Sequence, residues 1–169
     1  MKVKIKKLNK DAVIPIYATD GSAGMDLTAV SKTFDEYGNI VYGTGLSFEL
    51  PKGYVGLLFP RSSNTKTQLL LMNHVGVLDS DYRGEVTFKF RPLYHKAKAS
   101  FWLWIAKHCF GVKDLGPLVA TTWELDSDYE VGDRIGQIII VKHPNIEFVE
   151  SEELSETERG NGGYGSTGR

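Results

Sequence analysis

The segment "ERGNGGYGSTGR" combines backbone freedom with the side chains that bind phosphorylated nucleotides. Five glycines lie between Gly160 and Gly168, and glycine loses more backbone freedom on folding than any other residue. Glycines also let backbone N–H groups crowd around anionic oxygens. The segment adds a cation, a flat ring and two hydroxyl groups, on Arg159, Tyr164, Ser166 and Thr167. We interpret the segment either as a solvated linker or as an arm that becomes ordered when it binds a nucleotide.

Composition predicts one cytoplasmic domain without a nucleic-acid or membrane surface. The chain has 169 residues, of which 41% are apolar and 24% charged, enough for a single core. Twenty basic residues nearly cancel twenty-one acidic ones, so phosphate binding is expected to be local. The single cysteine, Cys109, excludes an internal disulfide. Charged residues interrupt the N-terminal "MKVKIKKLNK", and the run "SFWLWIAKHCFGV" is too short to span a bilayer.

Short alternating segments between turn residues predict a mostly antiparallel sandwich or barrel. In "GEVTFKFR", Val86, Phe88 and Phe90 fall on one face, as expected for a half-buried strand. Turn signals such as "EYGN", "LPKG" and "EVGD" recur at short intervals. We therefore expect an all-β body over residues 1–150.

Two regions depart from the alternating pattern. Residues 95–121 contain a possible N-cap at Ser100 and a stop at Gly111, which predict a short helix, although Phe, Trp and Ile favour strands equally. Residues 151–169 begin acidic and end rich in glycine. That composition is typical of a flexible C-terminal arm.

Five stretches combine acids, small residues and turn signals: "SAGMDL" (22–27), "PRSS" (60–63), "NHVGVLDSDYRGE" (73–85), "GDRIGQ" (132–137) and "RGNGGYGSTG" (159–168). In this order they resemble the five motifs of the trimeric deoxyuridine triphosphatase (dUTPase) family. The resemblance spans nearly the whole chain. It implies a homotrimer with a jelly-roll-like distorted β-barrel that hydrolyses dUTP to dUMP and pyrophosphate, using Mg²⁺.

The resemblance also implies roles within the third motif. Asp79 matches the carboxylate that activates water, Tyr82 the ring that packs on deoxyribose, and Asn73 the amide that reads uracil. A cytosine would leave polar groups unpaired in such a pocket. Because an aspartate is a weak base, most of the acceleration must come from alignment and charge stabilisation. The alternatives are a turn aspartate, a sheet tyrosine and a turn asparagine.

The remaining motifs match phosphate and metal contacts. The phosphate-binding positions are Arg61, Ser62, Ser63 and Gln137 in the body, and Arg159, Gly165, Ser166 and Thr167 in the arm. Tyr164 would stack on uracil as the arm closes over a site formed with neighbouring subunits. Asp26 matches the residue that meets Mg²⁺ through water, and no direct protein ligand is expected. Arg61 has an alternative as a structural ion pair. The four histidines, at 74, 95, 108 and 143, lack metal-ligand spacing.

The chain departs from the family pattern mainly between the third and fourth motifs. The segment between these motifs is longer than in the family pattern, and the excess is roughly residues 94–122. It resembles inserts in some bacteriophage members of the family, where they can serve protein partners. Their aromatic residues either form a docking patch or pack onto the barrel. Gly136 replaces a common alanine and Tyr164 a common phenylalanine. Two other functions are alternatives: a dCTP deaminase-like enzyme, and a regulatory protein of this fold that binds a partner through the insert.

Overall fold

The computed structural model describes residues 1–93 and 128–163. Within those two ranges the chain forms ten β-strands and one short 3₁₀ helix, Ser62–Lys66. The strands are β1 Lys4–Lys7, β2 Met25–Thr28, β3 Ser31–Phe34, β4 Ile40–Gly43, β5 Leu46–Glu49, β6 Tyr54–Phe59, β7 Leu69–Leu71, β8 Gly76–Leu78, β9 Thr87–Pro92 and β10 Arg134–Lys142. The prediction of an all-β fold is confirmed.

In the described part of the chain the strands form three antiparallel sheets. Their strand orders are β1-β5, β2-β10-β6-β8 and β3-β4-β9-β7. Every named pair is antiparallel. Because many neighbours in a sheet are distant in sequence, the fold brings the separated motifs together.

The core lies between the sheets and contains the predicted apolar face of β9. Val86, Phe88 and Phe90 are buried, whereas the alternate residues Thr87 and Lys89 are exposed. Complete burial of one such apolar side chain stabilises a fold by about 1.5–3 kcal/mol. The alternation therefore identified the correct face of this strand.

The sheet β2-β10-β6-β8 positions most of the motif residues. Gln137 of β10 pairs with Asp26 of β2 on one side and with Phe59 of β6 on the other. At the far end of β6, Gly56 pairs with Leu78 of β8. Arg61 and Asp79 follow opposite ends of this strand pair.

Residues 143–163 follow β10 without forming a named strand. Four of their large apolar side chains are exposed: Ile146, Phe148, Val149 and Leu154. The predicted helix at 100–111 and residues 164–169 of the arm lie outside the described residues. The division into a body and an arm stays a prediction. In the ranges that the structure describes, no helix is long and apolar enough to cross a membrane.

Candidate active site

Three residues expected to act on the base, the sugar and the water line one surface cleft. Asn73, Asp79 and Tyr82 border this cleft, which has a volume of about 190 Å³. Its other lining residues come mainly from β6, β8 and the start of β9: Leu58, Gly76, Val77, Leu78, Glu85, Val86 and Thr87. We refer to it as the base cleft. One wall is apolar and the rim carries an amide, a carboxylate and a phenol.

The turn after β8 holds Asp79 and Tyr82 together. The Tyr82 backbone N–H donates to the Asp79 carbonyl at 3.2 Å, and the Tyr82 hydroxyl donates to the Glu85 carbonyl at 3.3 Å. The end of the Tyr82 ring occupies the space that a Cβ on Gly84 would need. Glycine at 84 therefore lets the phenol fold back over the turn and border the base cleft.

Asn73 reaches the base cleft from the turn between β7 and β8. His74, the next residue, has a φ of 57°, in the left-handed region that few side chains adopt. A Cβ on Gly76 would lie 3.2 Å from the Asn73 Nδ2 and 3.0 Å from the Leu58 Cβ. The absence of a side chain at 76 thus leaves room for the amide beside the floor of the cleft.

A second cluster surrounds Asp26 at the other end of β6. The Arg61 Nε donates to Asp26 Oδ1 at 2.8 Å, and the Arg134 Nη1 donates to Asp26 Oδ2 at 3.1 Å. Two guanidinium groups thus share one carboxylate. Such charge-assisted bonds fix the direction of each arginine more firmly than bonds between neutral groups.

The other predicted phosphate contacts lie around Arg61. Arg61 Nη1 donates to the Ser63 hydroxyl at 3.1 Å, and Ser62 begins the 3₁₀ helix directly after it. The Gln137 Nε2 donates to the Pro60 carbonyl at 3.2 Å. A Cβ on Gly24 would lie 2.6 Å from the Gln137 Oε1, so glycine there leaves space for the amide. We refer to Asp26, Arg61, Ser62, Ser63 and Gln137 as the phosphate cluster.

The base cleft and the phosphate cluster are separated within one chain. Asp79 follows Leu78, which pairs with Gly56, whereas Arg61 stands five residues beyond Gly56 along an extended segment. Asp79 lies one residue beyond Leu78 in the opposite direction, so six residues at a rise of about 3.3 Å each put the two backbones roughly 20 Å apart. One nucleotide cannot place its reacting phosphorus beside both residues of the same chain unless one side chain spans much of that distance.

Of the residues predicted in the arm, only Arg159 is described. Its Nε donates to the Gly162 carbonyl at 2.9 Å, and the side chain is exposed. Tyr164, Gly165, Ser166 and Thr167 lie outside the described residues. Among residues 1–93 and 128–163, no group of three or more His, Cys, Asp or Glu side chains is arranged to hold a metal ion.

Sequence reasoning did not assign a role to Arg134 or to the close-packed glycines Gly24 and Gly84. Arg134 stands three residues before Gln137 in a motif already singled out, which was the available signal. The need for glycine at 24 and 84 depends on side chains that lie over them, and only the structure reveals that packing.

Comparison with known proteins connects this geometry to one family. The family model described as dUTPase matches residues 10–97 and 123–168. A deoxyuridine 5'-triphosphate nucleotidohydrolase of Nautilia profundicola is 37% identical, with all of both chains covered. Another, of Hydrogenobaculum sp., is 34% identical, covering 99% of each chain.

Solved structures show the same fold. A dUTPase of Staphylococcus bacteriophage 80alpha, solved with dUpNHpp, has a TM-score of 0.74 and 24% identity over 99% of each chain. A mutant dUTPase from phage phi11 of S. aureus, described with a structural Mg(II) ion, has a TM-score of 0.66 and 21% identity. It covers 92% of this chain and 100% of its own. These similarities agree with the jelly-roll-like β fold expected from the motifs.

Proposed function

The chain belongs to the dUTPase family, and we propose that its Asp79 activates the water molecule that cleaves the nucleotide. The enzyme hydrolyses dUTP to dUMP and pyrophosphate, as the full-length relatives indicate. The observation that carries the proposed mechanism is the convergence of Asn73, Asp79 and Tyr82 on one cleft.

Asp79 suits the role of general base because it is exposed at the rim of the base cleft. The water must attack the α-phosphorus opposite the departing pyrophosphate. Proton removal by a positioned carboxylate contributes about 10²- to 10⁴-fold. The larger share must come from holding water and phosphorus in line and from stabilising charge on the phosphate oxygens.

The base cleft provides the means to select deoxyuridine. The Asn73 amide offers both a donor and an acceptor to the uracil edge. Cytosine presents the opposite pattern and would leave polar groups unpaired against the apolar wall formed by Leu58 and Val86. The Tyr82 ring would lie against the sugar, where a 2'-hydroxyl needs space. These contacts support discrimination against dCTP and UTP.

The phosphate cluster would bind the triphosphate through donors that need no proton transfer. Arg61 supplies charge, Ser62 and Ser63 supply hydroxyl groups, and Gln137 supplies an amide. Asp26 directs the Arg61 guanidinium, which supports a role for this acid in arranging the site. Arg159, with Tyr164, Gly165, Ser166 and Thr167 of the arm, would close over the bound nucleotide.

Mg²⁺ is the metal that we propose for this enzyme, and the residues fit a cation held mainly by phosphate oxygens and water. Each carboxylate oxygen of Asp26 accepts one arginine bond and keeps lone-pair capacity for a water ligand of the metal. When bound, Mg²⁺ supplies positive charge that neutralises the triphosphate. Asp26 would hold its hydration shell, with no direct protein ligand.

Two observations support a homotrimer in which neighbouring subunits complete each site. The roughly 20 Å between the backbones of Arg61 and Asp79 favours their working in different subunits. The segment after β10 exposes Ile146, Phe148, Val149 and Leu154, which a neighbouring subunit would cover. A cyclic trimer provides both kinds of contact three times.

The other functions considered receive no comparable support. The relatives are named for dUTP hydrolysis, which does not favour the deaminase. Residues 94–122 lie outside the described part of the chain, and nothing in the remainder supports a protein partner for them. A cytoplasmic location remains part of the proposal, and the single cysteine agrees with it.

The experiment that tests this function measures pyrophosphate release from dUTP, dCTP, dTTP and UTP in the presence of Mg²⁺. We expect rapid release from dUTP and at least about 100-fold lower kcat/KM for the other three. Omission of the metal should slow the reaction. Efficient turnover of dCTP, or none of dUTP, would contradict the proposal.

A further inference from the structure

Tyr129 connects the aromatic core to the beginning of the phosphate cluster. Its side chain is buried, and its ring packs edge-on against Tyr42 at 6.0 Å and tilted against Phe90 at 5.7 Å between centroids. The Tyr42 hydroxyl donates to the Tyr129 carbonyl at 2.9 Å. Ring and backbone are therefore both held by the core.

The residues beside Tyr129 fasten it further. Lys32 of β3 bonds to Glu130 at 2.8 Å and lies 4.0 Å from Asp128. These ion pairs bracket Tyr129 on both sides and attach its backbone to the sheet. Because the core and these ion pairs already fix the ring, the hydroxyl group has a fixed position and can orient a neighbouring side chain.

The Tyr129 hydroxyl faces the 3₁₀ helix that follows Arg61. It lies 3.4 Å from the Asn64 Oδ1, a long contact for two oxygens. Burial raises the pKa of Tyr129, and hydrogen bonding with Ser63, the charge of Arg61 and hydrogen bonding with Thr67 oppose that rise. Asn64, which accepts the bond from the phenol, directly follows Ser63, whose hydroxyl accepts a bond from Arg61 at 3.1 Å.

We propose that Tyr129 is a positioning residue that holds Ser63 and Arg61 in the orientation needed to bind the nucleotide's phosphates. The inference rests on the proposed function, because it assigns these two side chains to phosphate binding. Tyr129 itself touches neither base nor phosphate; it acts through Asn64 and so through the 3₁₀ helix that carries Ser63. Without the hydroxyl, Ser63 and Arg61 would sample orientations that do not face the phosphates.

The test compares Tyr129→Phe with Tyr42→Phe. Both changes remove one hydroxyl from the same aromatic cluster, but only the Tyr129 hydroxyl contacts the 3₁₀ helix that carries Ser62 and Ser63. Tyr129→Phe should raise the KM for dUTP about three- to tenfold, with kcat changed less than about twofold. Tyr42→Phe should lower the thermal midpoint more, because it leaves the Tyr129 carbonyl unpaired, and should raise KM less, because the Lys32 ion pairs still hold the residues beside Tyr129.

Ligands with different numbers of phosphates distinguish an effect on the phosphate-binding side chains from a general loosening of the fold. Tyr129→Phe should weaken binding of the triphosphate analogue dUpNHpp by the same factor as KM, and binding of dUMP by a smaller factor. An unchanged KM in Tyr129→Phe would overturn the inference, as would an equal rise in Tyr42→Phe or equal losses for dUpNHpp and dUMP. Absence of dUTP hydrolysis in the unmodified enzyme would instead defeat the proposed function.

Discussion

The Arg61 Nε donates to the Asp26 Oδ1 at 2.8 Å, so an acid on β2 sets the direction of a cation that follows β6. The two side chains are partly buried, with 24% and 26% of their surfaces exposed. A second arginine, Arg134, donates to the other oxygen of the same carboxylate. Asp26 therefore organises two positive charges at the place where the triphosphate is expected.

Replacement of Asp26 by asparagine should weaken nucleotide binding, because the amide has no negative charge and turns an N–H donor towards one of the two arginines. We expect the KM for dUTP to rise about 10-fold or more. Glu49→Gln, which removes a surface salt bridge to Lys4, is the control and should change nothing. If Asp26 acts through Arg61, the KM for dUTP should stay raised at saturating Mg²⁺. Full recovery at high Mg²⁺ would show that Asp26 acts mainly on the metal.

Gly84→Ala should reduce the enzyme's discrimination against UTP. The new Cβ would overlap the end of the Tyr82 ring, which must then move. Since that ring is proposed to exclude the 2'-hydroxyl, the ratio of kcat/KM for dUTP over UTP should fall about 10-fold. The control is Gly21→Ala, where a Cβ meets no atom within 4 Å. If the Tyr82 ring moves and the ratio of kcat/KM for dUTP over UTP stays the same, Tyr82 does not select the sugar.

Mixed trimers should recover activity from two inactive parents. If each site takes Arg61 from one subunit and Asp79 from the next, co-expression of Arg61→Ala and Asp79→Asn chains leaves one intact site in every mixed trimer. We expect about a quarter of the wild-type rate from an equal random mixture. Each variant expressed alone is the control. A mixture as inactive as its parents would show that both residues act within one chain.

Asp35 should stabilise the fold at neutral pH and lose that effect in acid. Hydrogen bonds from Asn39, assisted by Lys89 and Tyr37, lower the pKa of Asp35 from 3.8 to about 2. Because the folded state has the lower pKa, the stabilisation is complete above about pH 4 and disappears as pH falls towards 2. Asp35→Asn should therefore lower the free energy of urea unfolding at pH 7, and by less at pH 3. Asp20→Asn, in an exposed turn, is the control for the loss of a carboxylate as such.

The sequence was sufficient to predict those features that depend on residues close together in the chain. The period-two pattern of β9 identified the buried face of Phe88 and Phe90, and the third motif identified residues that border one cleft. Asn73, Asp79 and Tyr82 lie within ten residues of each other, so the short strand β8 and the turns before and after it bring them together.

The contacts that sequence did not reveal depend on strand register between distant segments. Asp26, Arg61 and Arg134 meet only because β10 lies between β2 and β6. Gly136, interpreted as a minor departure from a common alanine, has the Phe88 ring in the space that a Cβ would occupy. Close packing between side chains that are far apart in the chain leaves no local pattern in the sequence.

The central claim is that Asp79 activates the attacking water, and Asp79→Asn tests it most directly because the amide keeps the shape and loses the base. The measurement is the rate of pyrophosphate release from saturating dUTP with Mg²⁺, together with the affinity for dUpNHpp. We predict a rate lower by about 10²- to 10⁴-fold with affinity for the analogue retained. Turnover near the wild-type rate in Asp79→Asn, with dUpNHpp still bound, would contradict the account.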